Sequence, residues 1–461
     1  MTHTHFIGIG GTGLSAIAKV LLERGENVSG SDIKPSQQTT RLGDAGAKIF
    51  IGHHAKNIIG ADVIVRSSAI PDDNVECIAA SVSGIPVLNR KDFFPSFFSN
   101  NMVIGVAGTH GKTSTTSMTA WILTALGLDP GYIIGSESIN LGTNASAGKS
   151  KLFVIEADEY DYMFWGLECQ IAVITNIEHD HHDCFPTPGS YKQAFTGFID
   201  RMKKDGTLIA CTDDPLVREI TRYARKKGIN VISYSLEYKK SDYLAKEFHI
   251  EESSGYSYSL YKGKDHLVDI SLSVPGKHNI LNSIASLIIA KLLFQDLKEA
   301  AQKLSEYQGS QRRFQIKGTV DDVMIVDDYG HHPTEIKTTL EGARASYPDR
   351  RIIAVWEPHT YSRTIKLIRE FALAFDAADQ AIITEIYPAR EAKPEGFDPY
   401  LLLKAFTHSN IQILDSLKGT SDYLNNNLQS GDLLIVFSAG LGLEITDAVM
   451  DALKNREVIN D

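Results

Sequence analysis

MVIGVAGTHGKTSTTS, residues 102–117, opens as a short apolar run, closes on glycines, and leads into a stretch, Lys112–Leu126, that reads as a helix. The order strand, glycine-rich loop, helix is the geometry that exposes backbone N–H groups to a phosphate. Gly108, Thr109, His110, Gly111 and Lys112 would cradle the phosphates of ATP, with Ser114 following at the helix start. The Lys112 side chain would reach the terminal phosphates, and the Thr113 hydroxyl is placed to ligate Mg²⁺. Val106 stands where the longer phosphate-loop pattern has its first glycine, so the form here is the shorter G-T-H-G-K-T. A Gly-Lys-Thr without a strand before it and a helix after it means little; here both flanks are present.

Upstream, FIGIGGTGLS (6–15) contains a second turn of this kind, Gly8-Ile9-Gly10-Gly11-Thr12-Gly13, again between an apolar run and a helical pattern. Glycines at this spacing allow a tight turn and close approach to a pyrophosphate lying on the helix N-terminus. Asp32 ends NVSGSD, read as the next strand, where an acid would meet a ribose. The motif specifies a diphosphate without saying which, and a strand–helix turn without a ligand is the plain alternative. A dehydrogenase has no use for the second loop, and an ATP-driven motor has none for the first. A ligase that phosphorylates a nucleotide-linked substrate with ATP uses both.

The composition suits that reading. The 461 residues allow several domains, and 43% hydrophobic with 22% charged residues is globular rather than disordered. A formal net charge of −11 argues against a nucleic-acid partner, so anionic ligands must be held by local donors. Cys77, Cys169, Cys184 and Cys211 are scattered and suit a reducing cytoplasm. No signal peptide or membrane-spanning run is expected, hence no membrane insertion.

Along the chain, short apolar runs alternate with amphipathic stretches, the pattern of α/β folds with largely parallel sheets. HFIGI, NVSGSD and DVIVRSSAI (62–70) read as strands of a first, Rossmann-like domain, residues 1–100. FFPSFFSNN (93–101) reads as its boundary. KLFVIEAD, QIAVITNI and GTLIACTDD continue a central, P-loop ATPase-like domain, residues 101–307, with antiparallel strands expected between Tyr243 and Val274 and a helix near 279–294. VMIVDDY, RIIAVWE, QAIITEIY, IQILDS and DLLIVFSAG form a third, Rossmann-like series over residues 308–461.

IGIGGTGLSAIA, VRSSAI, GTHGKTST, EADEYD, NIEHDHHD, GKHNILNSIA, QRRFQ, DDYGHHPTEI and PHTYSRT occur in this order, and on them the whole chain resembles the Mur ligases of peptidoglycan synthesis. The resemblance implies three α/β domains binding in turn a UDP moiety, ATP and an incoming amino acid. It implies activation of a carboxylate by the γ-phosphate of ATP and attack of an amine on the acyl phosphate. By the same resemblance Lys112, Glu156, His181 and Arg313 carry the chemistry, and Thr113, Glu156 and His181 hold metal. Asn279 and Asn282 lie at the adenine, Arg313 reaches the ATP phosphates, and Asp328 meets the ATP ribose. Gly8, Gly10, Gly11, Thr12, Gly13, Asp32, Ser67 and Ser68 fall on the UDP-substrate positions, and His331 and Arg363 on those for the amino acid. Arg312 and His182 are expected at the surface.

Within the family the likeness is greatest to the branch joining L-alanine to the lactyl carboxylate of UDP-N-acetylmuramate. The rival is a recycling ligase that attaches a tripeptide to the same UDP-sugar. From another class, a NAD-binding protein with an incidental phosphate loop would not require Glu156 or His181. Other Mur ligases carry a carbamylated lysine a few residues beyond the D-H motif. Aligning SYKQAFTGF (190–198) puts Phe195 there, with Lys192 about 60° away around a helix.

Overall fold

The computed structural model describes residues 2–251, 255–294, 296–389 and 391–460. The described chain forms three sheets, each flanked by helices, and groups into two compact units. The first unit takes the chain up to Lys246 with Ser259–Ile270 and Leu281–Tyr307; the second is chiefly the chain from Gln308 onward.

In the first sheet, β1 (His3–Ile7), β2 (Asn27–Asp32), β3 (Lys48–Ile51), β4 (Val63–Arg66) and β5 (Val87–Leu88) run parallel in the order β3-β2-β1-β4-β5. DVIVRSSAI gives only β4; after Arg66 the chain turns. The helix Thr12–Glu23 buries Leu14, Ile17, Val20 and Leu21 at the spacing of one helical face, so the glycine loop is pinned between β1 and a firmly packed helix.

The second sheet holds β6 (Met102–Ala107), β7 (Gly131–Ser138), β8 (Thr143–Ser146), β9 (Leu152–Glu156), β10 (Ile171–Ile174), β11 (Thr207–Cys211) and β12 (Asn230–Ser235). It is extended by β13 (Tyr243–Ile250), β14 (Tyr256–Lys262) and β15 (Asp265–Leu272). The order is β15-β14-β13-β12-β11-β10-β6-β9-β7-β8. β6 pairs in parallel with β10 on one side and β9 on the other. Its C-terminal end therefore opens at a crevice where the strand order changes direction, the usual ligand position in such sheets.

FFPSFFSNN, read as the boundary of the first domain, is largely the end of a helix. Arg90–Phe97 is helical, and Phe93, Phe94, Phe97 and Phe98 are buried. Phe97 and Phe98 meet Phe153 of β9 edge-on, with ring centroids 5.9 and 5.0 Å apart. These aromatics lie in one core with Phe6, Ile17, Phe164 and Phe198, which explains why the first two sheets cluster as one body.

In the second unit, β16 (Gln315–Val320), β17 (Val323–Asp328), β18 (Arg351–Glu357), β19 (Gln380–Ile383), β20 (Ile411–Ile413) and β21 (Asp432–Ser438) take the order β16-β17-β21-β18-β19-β20. All pairs are parallel except β16–β17. Both faces are covered: Val326, Ala354, Trp356 and Ile435 point into one core, and Ile325, Ile353, Val355 and Val436 into the other. Such strands read as unbroken apolar runs, as these do.

Candidate active site

Two glycines of the phosphate loop are fixed by geometry. Gly108 has φ +136°, and Gly111 has φ +82° where a Cβ would lie 2.6 Å from Asn282 Oδ1. Lys112 then starts the helix Lys112–Ala125. The loop is tied to the strand ends beside it: the His110 N–H donates to Asn176 Oδ1 at 2.9 Å, and His110 Nε2 lies 3.0 Å from Glu178. Thr109 is buried, its hydroxyl bonded to the Glu178 carbonyl and to the Tyr191 hydroxyl; Ser114 is half-buried.

Lys112 Nζ donates to the carbonyls of Gly108 (2.6 Å) and Thr109 (3.1 Å) and to the Glu159 carboxylate (2.9 and 3.1 Å). Burial acts to lower its pKa, but Glu159, Asp158 and Glu156 outweigh it and hold the ammonium well above the usual lysine value. Glu156, at the end of β9, accepts from the Thr113 hydroxyl at 2.9 Å and from the Gly135 N–H at 2.8 Å. A hydroxyl and a carboxylate oxygen thus converge beside the lysine, a donor set that suits Mg²⁺.

His181 adopts φ +52°, and its Nε2 lies 3.7 Å from Glu159 and 3.9 Å from Asp180. The carboxylate it meets is thus Glu159, which sequence reasoning left unassigned. His182 is half-buried, with Nδ1 3.3 Å from His179 Nε2, not at the surface as expected. Asn282 accepts from the Thr115 hydroxyl at 3.1 Å and so braces the helix behind the loop. Phe195 is fully buried against Phe164 and Tyr191, and Lys192 pairs with Glu219.

The first loop is as tightly built. Gly8 has φ +83°, and a Cβ there would meet Ser67. The Gly10 N–H donates to Asp32 Oδ2 at 2.8 Å, and a Cβ on Gly10 would crowd that oxygen. Asp32 therefore braces the loop with one oxygen and accepts from Ile33 N–H with the other. The Gly11 N–H returns to the Gly8 carbonyl, Thr12 begins the helix, and Ser68 is exposed. Gly13 leaves room for Arg90: a Cβ there would stand 2.3 Å from Arg90 Nη1. Burial lowers the Arg90 pKa, opposed by Asp158 and Asp161, so this guanidinium lies between the first loop and the acidic segment after β9. Sequence reading missed Arg90 because it belongs to no local motif.

In the second unit, Arg313 lies over the Tyr329 ring at 5.2 Å and 3.7 Å from Glu335. Arg312 bonds Asp327 at 3.2 Å and the Ser438 carbonyl at 2.6 Å, so it is a structural pair and not the solvated charge expected. Asp328 accepts from the N–H groups of Phe314 and Gly330, and burial raises its pKa to about 6. Asn279 is buried, its amide donating to the Pro275 carbonyl at 2.7 Å. His278 is held neutral by burial and by Arg313, its pKa lowered to about 4.

His331 lies 5.5 Å, ring to ring, from His359, and Arg363 Nη1 lies 3.1 Å from His359 Nδ1. The two residues expected at the amino acid therefore share His359, which also faces Tyr387. Thr360 reaches φ +65° between them, an unusual conformation for a β-branched residue and one that aims the following turn.

Three family models cover most of the chain: the Mur ligase family catalytic domain over residues 3–101, the Mur ligase middle domain over 106–290 and the Mur ligase glutamate ligase domain over 312–440. The chain is 41% identical to the UDP-N-acetylmuramate–L-alanine ligase of Caldanaerobacter subterraneus subsp. tengcongensis, over 98% of this chain and 97% of that protein. Among solved structures it is similar to the UDP-N-acetylmuramate–alanine ligase MurC of Thermotoga maritima, with TM-score 0.83 and 25% identity over 99% and 100% of the two chains. A murein peptide ligase from Psychrobacter arcticus aligns with TM-score 0.71 and 25% identity over 99% of each chain.

Proposed function

The chain belongs to the Mur ligase family, and from that membership we propose that it joins L-alanine to the lactyl carboxylate of UDP-N-acetylmuramate with hydrolysis of ATP, in the cytoplasmic stage of peptidoglycan synthesis. The observation that carries the reading is the convergence of Lys112, Thr113 and Glu156 at the C-terminal end of β6 and β9. A phosphate loop facing carboxylates is built to transfer a phosphoryl group between two anions.

A lactyl carboxylate oxygen attacks the γ-phosphorus of ATP, ADP leaves, and an acyl phosphate results. The amine of alanine attacks its carbonyl carbon, the tetrahedral adduct expels phosphate, and the amine loses a proton. Charge neutralisation dominates such a reaction. Lys112 supplies it at the phosphates, and Arg313 is its proposed counterpart. Mg²⁺, when bound, adds charge at the phosphate oxygens, and Thr113, Glu156 and His181 would hold it.

The first loop, with Asp32, Ser67 and Ser68, is the proposed seat of the UDP moiety. Its pyrophosphate would meet the N-terminus of the helix Thr12–Glu23 and the Arg90 guanidinium. Asn279, Asn282 and Asp328 are proposed at the adenosine. Arg363 is proposed at the alanine carboxylate, with His331 beside it, since a planar guanidinium grips a carboxylate through two parallel bonds. Residues 1–100, 101–307 and 308–461 are the proposed substrate, ATP and amino-acid domains, in keeping with the three sheets.

The test is release of ADP and phosphate by the purified protein with Mg²⁺–ATP. Turnover should require UDP-N-acetylmuramate and L-alanine together. Equal ATP turnover without either one would overturn the ligase reading.

A further inference from the structure

Glu159 enters none of the roles above, yet the phosphate loop is anchored on it. Its side chain is fully buried, with Oε2 2.9 Å and Oε1 3.1 Å from Lys112 Nζ. Oε1 also accepts from the Tyr191 hydroxyl at 3.0 Å. That hydroxyl lies 2.9 Å from Thr109 Oγ1, which in turn accepts from the Glu178 N–H at 2.9 Å. The circuit closes where Lys112 Nζ bonds the carbonyls of Gly108 and Thr109. Loop lysine, loop carbonyls, a helix tyrosine and one carboxylate are thus a single network.

The backbone that delivers Glu159 is unusual. Asp161 and Tyr162, just after it, have φ +53° and +54°, which side-chain-bearing residues adopt only when their surroundings enforce it. Tyr162 is held by Trp165 and Phe185, at ring distances of 4.4 and 5.1 Å. Buried carboxylates are costly unless paired, and a neutral side chain could fill this space if only packing mattered.

We propose that Glu159 is the positioning residue of the phosphate loop, fixing the Lys112 ammonium and, through Tyr191, the carbonyls on which it rests. The inference deepens the ligase reading and rests on it. A lysine held in place contributes most where charge develops at the transferring phosphoryl, so its loss should appear in the chemical step more than in substrate binding.

The test compares Glu159→Gln, Glu159→Asp and Tyr191→Phe with wild type. Glu159→Gln should lower kcat at least about tenfold while the KM values for UDP-N-acetylmuramate and alanine stay within about twofold. Glu159→Asp, which keeps the charge, should retain at least about threefold more activity than the glutamine variant. Amide exchange over residues 108–112 should quicken in Glu159→Gln, a readout of the loop itself. Tyr191→Phe, which keeps the ring in the core, should lower kcat about 2–10-fold with unchanged substrate KM values. Glutamine and aspartate variants that lose activity equally, or a glutamine variant within twofold of wild type, would overturn the proposal. If Glu159→Gln does not fold, a fully active Tyr191→Phe does so. Wild-type ATP turnover that needs both co-substrates upholds the ligase reading whatever these variants do, so the two can fail separately.

Discussion

Lys112→Met should nearly abolish ligation and leave the fold intact, because the methionine stem fills the same space without the charge. One hydrogen bond to a charged partner is worth about 1.5–3 kcal/mol, or roughly 10–100-fold, and a lysine facing a transferring phosphoryl should exceed that. Turnover above about a tenth of wild type in steady-state assays would exclude its phosphate role. Arg363→Lys keeps a charge but loses the planar fork, so the KM for alanine should rise while that for ATP stays constant. A raised ATP KM with an unchanged alanine KM would contradict the assignment. That Lys112, Thr113 and Glu156 come together was legible because each lies at the start of a helix or the end of a strand inside a short motif. Glu159 sits in the same EADEYD yet was passed over, since nothing local tells which acid is buried against a lysine 47 residues away. Arg90 and His359 were missed for that reason too, and Arg312 was misread because its partner Asp327 lies on another element.

Gly111→Ala tests how rigidly the loop is built. It introduces a side chain at φ +82° and a close contact with Asn282, so ATP-dependent turnover and thermal stability should both fall. Alanine tolerated with full activity would show that the loop is not held in this conformation. On the helix Pro188–Ile199, Phe195 is buried among aromatic rings, and the proposed alignment sets it against the carbamylated lysine of other Mur ligases. Activity should therefore be unchanged in degassed, bicarbonate-free buffer after brief acid treatment. Restoration of lost activity by bicarbonate would contradict that alignment. Parallel strands such as β6, β10, β18 and β21 were readable as apolar runs, because two-sided burial favours apolar residues at every position, whereas β3, β5, β7 and β12 were passed over. β16 was not, since its exposed Ile316 and Lys317 give an edge strand little apolar character. The helix Arg90–Phe97 was masked by Pro95 and by a polar end, although four phenylalanines at helical spacing pointed inward.

Across the whole molecule, the sequence distinguishes three α/β segments but not that the first two share a core, because the aromatics joining them lie at what reads as a boundary. The helix Val75–Val82 beside the first sheet also carries a buried charge that bears on acid stability. Glu76 is fully buried, and although burial opposes it, bonds from His5, Ser31, Asn57 and the His54 N–H hold its pKa at about 2. A carboxylate depressed on folding stabilises above its unfolded pKa, near 4.5, and loses that contribution as pH falls toward about 2. Glu76→Gln should therefore cost on the order of 3 kcal/mol near neutral pH. Denaturant melts of both proteins should converge as the pH falls through that window, and a pH-independent gap would contradict the assignment. The central claim, that this chain adds a single alanine to UDP-N-acetylmuramate, is tested most directly by offering L-alanine and the murein tripeptide together. Mass spectrometry of the product with Mg²⁺–ATP should show the alanyl adduct in excess. A predominant tripeptide adduct would contradict the account.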